Sequence, residues 1–350
     1  MKALVTSDRA SVLNKGHNNP EFQFFPEENI KKIEDLFDEV IWNETGRDFT
    51  EEEFLEKVRD VDAIFTCSSR NKIDKKVLDN APKLKIVAYL MGSVAHLVTE
   101  DVYDAGVKVI GTNDGIFAES VAEAALLYIL MSNRCVKNVL DTINNIGGED
   151  GWTAARKIVY RRGLMNRTVG LVSFGAVAEH LARMLQPFHV KIKVCDIKKI
   201  SEEKMKMYNM QSASLEEIFS TCDIISLHTA WTKQTEGMIT RELISIIRDN
   251  ALLVNTARGM IVDEPALIAE LKTGRFRAVL DVTINEPPEY EKGGLYDLPN
   301  VILMPHHGGP TADRYPFIAE EMIDEVYGYL KEGKPLHNEI TKDRLRTMTI

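Results

Sequence analysis

Thr168-Val-Gly170-Leu-Val-Ser173-Phe-Gly175-Ala-Val-Ala178, followed after an amphipathic stretch by Lys191-Ile-Lys-Val-Cys-Asp196, is the passage whose reading decides the fold. An apolar, β-branched run passes straight into a helical pattern, and a second strand ends on an acid about 20 residues further on. In a dinucleotide-binding βαβ unit, the glycines of a G-x-G-x-x-G turn bring backbone N–H groups close to the pyrophosphate, and the helix N-terminus adds a favourable dipole. Ser173 stands at the first glycine position, Gly175 at the second and Ala178, a permitted residue, at the third. Taken alone, so glycine-poor a turn suits an ordinary strand-helix connection as well as a nucleotide site. Asp196 favours the nucleotide, because a carboxylate at that strand end accepts hydrogen bonds from ribose hydroxyls. Most single aspartates at strand ends are instead helix caps or solvated turn acids.

Outward from this passage, short β-branched runs alternate with longer amphipathic stretches, the pattern of parallel strands joined by crossover helices. After Thr168 to Phe174 and Lys191 to Asp196 come Asp223 to His228, Ala251 to Thr256, Ala278 to Val282 and Val301 to Met304. These six candidates predict a doubly wound, Rossmann-like unit. An earlier series (Ala3 to Thr6, Glu39 to Trp42, Ala63 to Thr66, Leu84 to Ala88, Val107 to Ile110) predicts a small parallel sheet complete before residue 115, with helices over Glu27 to Phe37, Glu51 to Val58 and Lys75 to Asn80. Between the two series, Glu119 to Arg134 is apolar on nearly every face and reads as a buried helix. Gly147, Gly148 and Gly151 then mark a loop. The last helical pattern, Ala312 to Leu330, returns to the first sheet.

The chain has 350 residues with 43 basic and 53 acidic side chains, a net charge of −10, which argues against a nucleic-acid scaffold. The first residues lack the apolar run of a targeting peptide, and the most apolar stretch, Ala124 to Met131, is far shorter than the roughly 20 residues of a membrane span. A soluble, cytoplasmic protein is expected. Cys67, Cys135, Cys195 and Cys222 lie far apart, so no metal site or disulfide framework is expected.

Three further strand ends carry candidate chemistry. Arg258, in Asn255-Thr-Ala-Arg258-Gly259, would project into the crevice beyond the sheet's carboxyl edge, where its planar fork suits a substrate carboxylate; a surface salt bridge is the ordinary fate of an arginine. Asp281-Val-Thr-Ile-Asn-Glu286-Pro287 and Met304-Pro305-His306-His307-Gly308-Gly309 follow. A histidine beside a carboxylate can donate and accept protons near neutral pH. His306 has the stronger claim as the nearer to its strand end, while His307 fits a role in shaping the turn. His17, His96, His180, His189 and His337 read as structural or exposed.

In these segments the sequence resembles the D-isomer-specific 2-hydroxyacid dehydrogenase family. The resemblance is carried by Ser120-Val-Ala-Glu123, Thr168 to Ala178, Asp223 to His228, Leu253 to Gly259, Val262-Asp-Glu264, Leu280-Asp-Val282 with Glu286-Pro287, and Leu298 to His306. It implies two α/β domains with parallel sheets, Rossmann-like and flavodoxin-like. The NAD-binding domain (117 to 309) would be inserted into a substrate domain (1 to 116 and 310 to 350).

The resemblance further implies that Arg258 orients a 2-oxo acid and that His306, partnered by Glu286, is the general acid and base. Ser173, Phe174, Gly175, Ala176, Val177, Asp196, His228, Thr256, Ala257, Arg258, Asp281 and His306 would line the NAD site, with Asp281 near the nicotinamide amide. The substrate loop is Tyr89-Leu-Met91-Gly92-Ser93-Val94, in which a single glycine replaces the family's G-x-G; Phe117 and Ser173 are further departures. Arg70, His96 and Trp152 are additional specificity candidates. The activity implied is NAD-dependent interconversion of a D-2-hydroxy acid and its 2-oxo acid by a homodimer. The alternative is a non-catalytic NAD(H)-sensing protein of the corepressor type, which the acidic chain disfavours.

Overall fold

The structure, a computed structural model, describes residues 1–8, 24–112, 114–158 and 162–349. His17 therefore lies outside the described residues. The chain divides into two compact units, Met1–Ala118 with Pro310–Ile350, and Glu119–Gly309.

The first unit is built on β1 (Lys2–Asp8), β2 (Glu39–Asn43), β3 (Ala63–Thr66), β4 (Ile86–Tyr89) and β5 (Lys108–Gly111), with helices α1 (Glu27–Leu36), α2 (Glu51–Lys57), α3 (Lys75–Asn80) and α4 (Glu100–Asp104) between them. All five strands are parallel in the order β2-β1-β3-β4-β5. Successive side chains of a strand point to opposite faces, and both faces are covered. Leu4, Ile64, Val87 and Val109 pack with Phe54, Val77 and Val102 on one side. Ala3, Val5, Phe65, Ala88 and Ile110 pack on the other with Ile33, Phe37, Ile318, Met322 and Val326. That two-sided burial is why these strands read as unbroken apolar runs.

The chain leaves the first unit within α5 (Ile116–Asn133), continues through α6 (Val136–Ile146) and α7 (Gly148–Arg156), and enters the second sheet. Its strands are β6 (Thr168–Val172), β7 (Lys191–Cys195), β8 (Met210–Ser212), β9 (Ile224–Leu227), β10 (Leu252–Asn255), β11 (Arg277–Leu280) and β12 (Val301–Leu303). The connecting helices are α8 (Ala176–Leu185), α9 (Glu202–Met207), α10 (Leu215–Thr221), α11 (Arg241–Ser245) and α12 (Glu264–Leu271). Helices α13 (Tyr315–Glu332) and α14 (Lys342–Leu345) belong to the first unit. The second sheet is parallel throughout, in the order β12-β11-β10-β9-β6-β7-β8. Strand order reverses between β6 and β9, the switch point beside which open α/β sheets bind ligands.

Three sequence expectations need correction. The second sheet has seven strands, because β8 joins as a short edge strand whose Gln211 and Ser212 are exposed and carry no apolar alternation. The three-glycine loop is a single break: Gly147, at φ +77, ends α6, and Gly151 is inside α7. Helix α5 is one-sided, with Ala122, Ala125, Tyr128 and Ile129 buried but Leu127 51% exposed. By length and composition alone α5 is long and apolar enough to cross a membrane.

Candidate active site

At the switch point the main chain turns sharply after β6. Ser173 takes φ +70, the left-handed backbone that a glycine would adopt without cost, and its hydroxyl lies 2.8 Å from that of Thr229 beyond β9. Asp196 braces the turn: Oδ2 accepts from the Phe174 N–H and Oδ1 from the Lys198 N–H, each at 2.6 Å. Gly175 then starts α8 without a side-chain cap, and a Cβ placed on it would meet nothing within 4 Å. The first turn, with Ala176 and Val177, therefore presents open space and uncommitted N–H groups, the requirements of a pyrophosphate.

Next along the edge, β9 and β10 pair with Leu227 opposite Asn255, so His228 and Thr256 are neighbours just past the strands. His228 Nε2 and Thr256 Oγ1 are buried and have no protein partner. Burial lowers the His228 pKa to about 4, so the ring is neutral. Two orphaned polar atoms at a sheet's carboxyl edge fit a bound ligand that supplies their hydrogen bonds. Asn255 folds the following turn: its Oδ1 accepts from the Ala257 N–H at 3.0 Å and its Nδ2 donates to the Arg258 carbonyl at 3.0 Å. Arg258 donates to the Ala257 carbonyl at 2.6 Å. Desolvation lowers its pKa, partly offset by the Glu286 charge.

Beyond β11 and β12 sits the proton-transfer candidate. His306 Nδ1 lies 2.7 Å from Glu286 Oε2, beside a cavity of about 170 Å³ lined by Thr283, Pro287, Tyr296, Met304 and Pro305 among others. The Glu286-Pro287 peptide is cis. Asp281 is 2% exposed, and its carboxylate accepts from the His307 N–H (3.0 Å), the Gly308 N–H (2.9 Å) and the Tyr128 hydroxyl (2.8 Å). Its main-chain carbonyl accepts from the His306 N–H at 2.9 Å.

The second unit thus brings Ser173, Phe174, Gly175, Ala176, Val177, Asp196, His228, Thr256, Ala257, Arg258, Asp281, Glu286 and His306 to one edge of its sheet. The substrate-loop candidates belong to the first unit, where they end or follow β4. Tyr89 is 7% exposed, and desolvation raises its pKa. Ser93 accepts from the Ala95 N–H at 3.3 Å and donates to the Thr349 carbonyl at 2.6 Å, while Met91 and Gly92 are half-buried. Arg70 pairs with Asp48 at 3.2 Å, and His96 is exposed. Trp152, on α7 of the second unit, is 60% exposed.

Sequence reasoning missed Tyr128, Asn255 and Glu264, whose Oε2 accepts from the Ile284 N–H at 2.9 Å. Tyr128 was indistinguishable from its apolar neighbours in α5. Asn255, within the quoted Asn-Thr-Ala-Arg-Gly segment, was legible in position but not in task. Among the described residues no group of three or more His, Cys, Asp or Glu could hold a metal ion. Chemically, the edge combines a helix N-terminus open to a phosphate, a desolvated guanidinium that can take an anion, and an imidazole whose Nδ1 is engaged by a carboxylate.

Residues 127–308 match the family model described as D-isomer specific 2-hydroxyacid dehydrogenase, NAD binding domain. Glyoxylate reductase of Thermococcus litoralis is 33% identical over 325 residues, covering 91% of this chain and 95% of the relative. Glyoxylate reductase of Pyrococcus furiosus is 32% identical over 323 residues, covering 91% and 95%. Among solved structures, the apo D-mandelate dehydrogenase of Rhodotorula graminis superposes with a TM-score of 0.80 at 22% identity, covering 97% of this chain and 98% of that one.

Proposed function

The chain belongs to the D-isomer-specific 2-hydroxyacid dehydrogenase family, and from that premise we propose that it reduces small 2-oxo acids to D-2-hydroxy acids, with His306 as general acid and base. It is an oxidoreductase that uses NAD to interconvert hydroxy and oxo acids. Glyoxylate is the first substrate to test, since two relatives at 33% and 32% identity carry that activity in their names.

When bound, NADH would supply the hydride for C2. Arg258 orients the substrate carboxylate, its desolvated fork making a two-point contact that bulk water would weaken. With Nδ1 held by Glu286, His306 offers a proton from Nε2 to the carbonyl oxygen; one hydride and one proton convert the 2-oxo acid to the 2-hydroxy acid. In the reverse direction neutral His306 removes the hydroxyl proton. Gly175, Ala176 and Val177 would hold the pyrophosphate, Asp196 the ribose, Thr256 and His228 would border the cofactor, and Asp281 would serve the nicotinamide amide. Tyr89, Met91, Gly92 and Ser93 form the substrate loop. Residues 117 to 309 serve as the cofactor domain.

Exposed Leu140, Ile146 and Trp152 on α6 and α7 supply an apolar face for a homodimer paired through that domain.

The observation that carries the reading is the 2.7 Å contact of His306 with Glu286 at the same sheet edge as the desolvated Arg258. The test is NADH oxidation by purified protein with glyoxylate, pyruvate, hydroxypyruvate and bulkier 2-oxo acids. Turnover with at least one, abolished in His306→Gln, is expected. An NADH-binding protein that turns over none of them would overturn the proposal.

A further inference from the structure

His306 holds φ +56, a left-handed backbone that a non-glycine residue keeps only where its surroundings impose it. The surroundings here include one face of α5. Ser120, Ala124 and Tyr128 are spaced four residues apart and so stack along one side of that helix. Ser120 Oγ donates to the Gly309 carbonyl at 3.3 Å. A Cβ on Gly308 would lie 3.8 Å from the Ala124 methyl and 2.6 Å from Asp281 Oδ2, so only glycine fits between helix and carboxylate. Tyr128 donates to Asp281 Oδ1, and Asp281 gathers the N–H groups of His306, His307 and Gly308 through its carbonyl and both carboxylate oxygens. Every residue from His306 to Gly309 is therefore tied, directly or through Asp281, to this patch of the second unit.

We propose that Tyr128 is a positioning residue for proton transfer, acting through Asp281, and that the Ser120-Ala124-Tyr128 face of α5 sets the turn on which His306 meets Glu286. This rests on the reading of His306 as acid and base. Packing alone does not require the hydroxyl: a phenylalanine would fill the same apolar position among Ala125, Ile129 and Val279. What the hydroxyl adds is a donor to a buried carboxylate whose other donors are two backbone N–H groups of the catalytic turn. Burial and the neighbouring carboxylate raise the Tyr128 pKa, so the group stays a donor at all working pH values. Without it Asp281 lacks one of three hydrogen bonds and is free to shift, carrying the turn and loosening the Glu286 contact.

The test is single-turnover hydride transfer in Tyr128→Phe, measured as a function of pH with saturating NADH and a 2-oxo acid that the wild type turns over. Displacement of a reacting group by about an ångström costs up to 10²-fold; a fall of roughly tenfold is expected here, with the substrate KM within about twofold. The descending limb of the reduction profile should move toward acid, as the imidazolium loses part of its Glu286 support. Ser120→Ala, which removes the second tie, should move the limb in the same direction by less, and serves if Tyr128→Phe folds poorly. His306→Gln is the parallel control: if it retains activity, the acid-base reading itself fails. If His306→Gln is inactive while Tyr128→Phe, or Ser120→Ala in its place, leaves the limb unmoved, whatever the change in rate or stability, the positioning role is overturned and the reading of His306 stands.

Discussion

A Cβ built on Gly259 would lie 2.1 Å from the Thr283 carbonyl carbon. The turn after β10 and the turn after β11 are thus pressed backbone against backbone, and the residue entering that contact is Arg258. Gly259→Ala must force the two turns apart. We expect a loss of stability of about 1 to 3 kcal/mol, the usual cost of overpacking, together with a drop in kcat/KM for the oxo acid larger than any change in NADH affinity. Denaturant unfolding and steady-state kinetics read both; native-like values in both would show that the turns separate freely.

The legibility of the site follows from where its residues lie. Arg258 and His306 follow closely on apolar strands, so strand patterning directs attention to them, whereas the pairing of Glu286 with His306 is carried by the family resemblance. The partners that hold them are hidden for physical reasons. Tyr128 occupies a helical position where an aromatic ring reads as core, and only the burial of Asp281 gives its hydroxyl a task. Asp196 was legible as a strand-end acid, yet both its oxygens also brace neighbouring backbone N–H groups, a local use that spacing cannot reveal. The edge strand β8 escaped because it is polar on all but Met210, a common property of edge strands. Ser173 shows the reverse: reading it at a glycine position anticipates its left-handed backbone.

Arg258→Lys conserves charge but loses the planar fork. Hydrogen bonds to charged groups contribute about 1.5 to 3 kcal/mol, so a fall of roughly ten- to a hundredfold in kcat/KM for the oxo acid is expected, with NADH binding retained. Near-native turnover in the variant would place the carboxylate site elsewhere.

Cofactor choice should follow Asp196. A carboxylate at the end of β7 facing a 2′-phosphate repels it by about 1 to 4 kcal/mol for unit charges near 4 Å. NADH should be preferred over NADPH by roughly fivefold or more in kcat/KM, and Asp196→Ser should narrow the gap. The backbone hydrogen bonds that Asp196 accepts predict a stability cost as well. Lys198 and Lys199 follow at once in the chain; preference for NADPH in the wild type would mean that they dominate.

His228 contributes a pH-dependent term to stability. Its pKa falls from 6.5 to about 4 on burial, so the unfolded chain takes up the proton first as pH drops. The stabilisation is fully present above about pH 6.5 and is lost progressively as pH falls toward 4, by up to roughly 3 kcal/mol. With unfolding free energies measured from pH 7.5 to 4.5, the wild type should lose stability relative to His228→Asn toward acid. Parallel curves would show that the ring titrates normally in the folded protein.

Glu286→Gln tests the proton relay directly. The substitution keeps the shape of the side chain beside His306 Nδ1 but removes the charge that favours imidazolium. Reduction requires protonated His306, so its descending limb should move toward acid; oxidation requires the neutral ring, so its ascending limb should move the same way. The His306 and Glu286 side chains are 44% and 41% exposed, so solvent screens the pair. Because the Glu286 charge also acts on Arg258, substrate affinity will change too, and the limbs must be read from single-turnover rates at saturating substrate. Limbs that stay in place in both directions would separate Glu286 from the acid-base function of His306 and leave it as a neighbour of Arg258 alone.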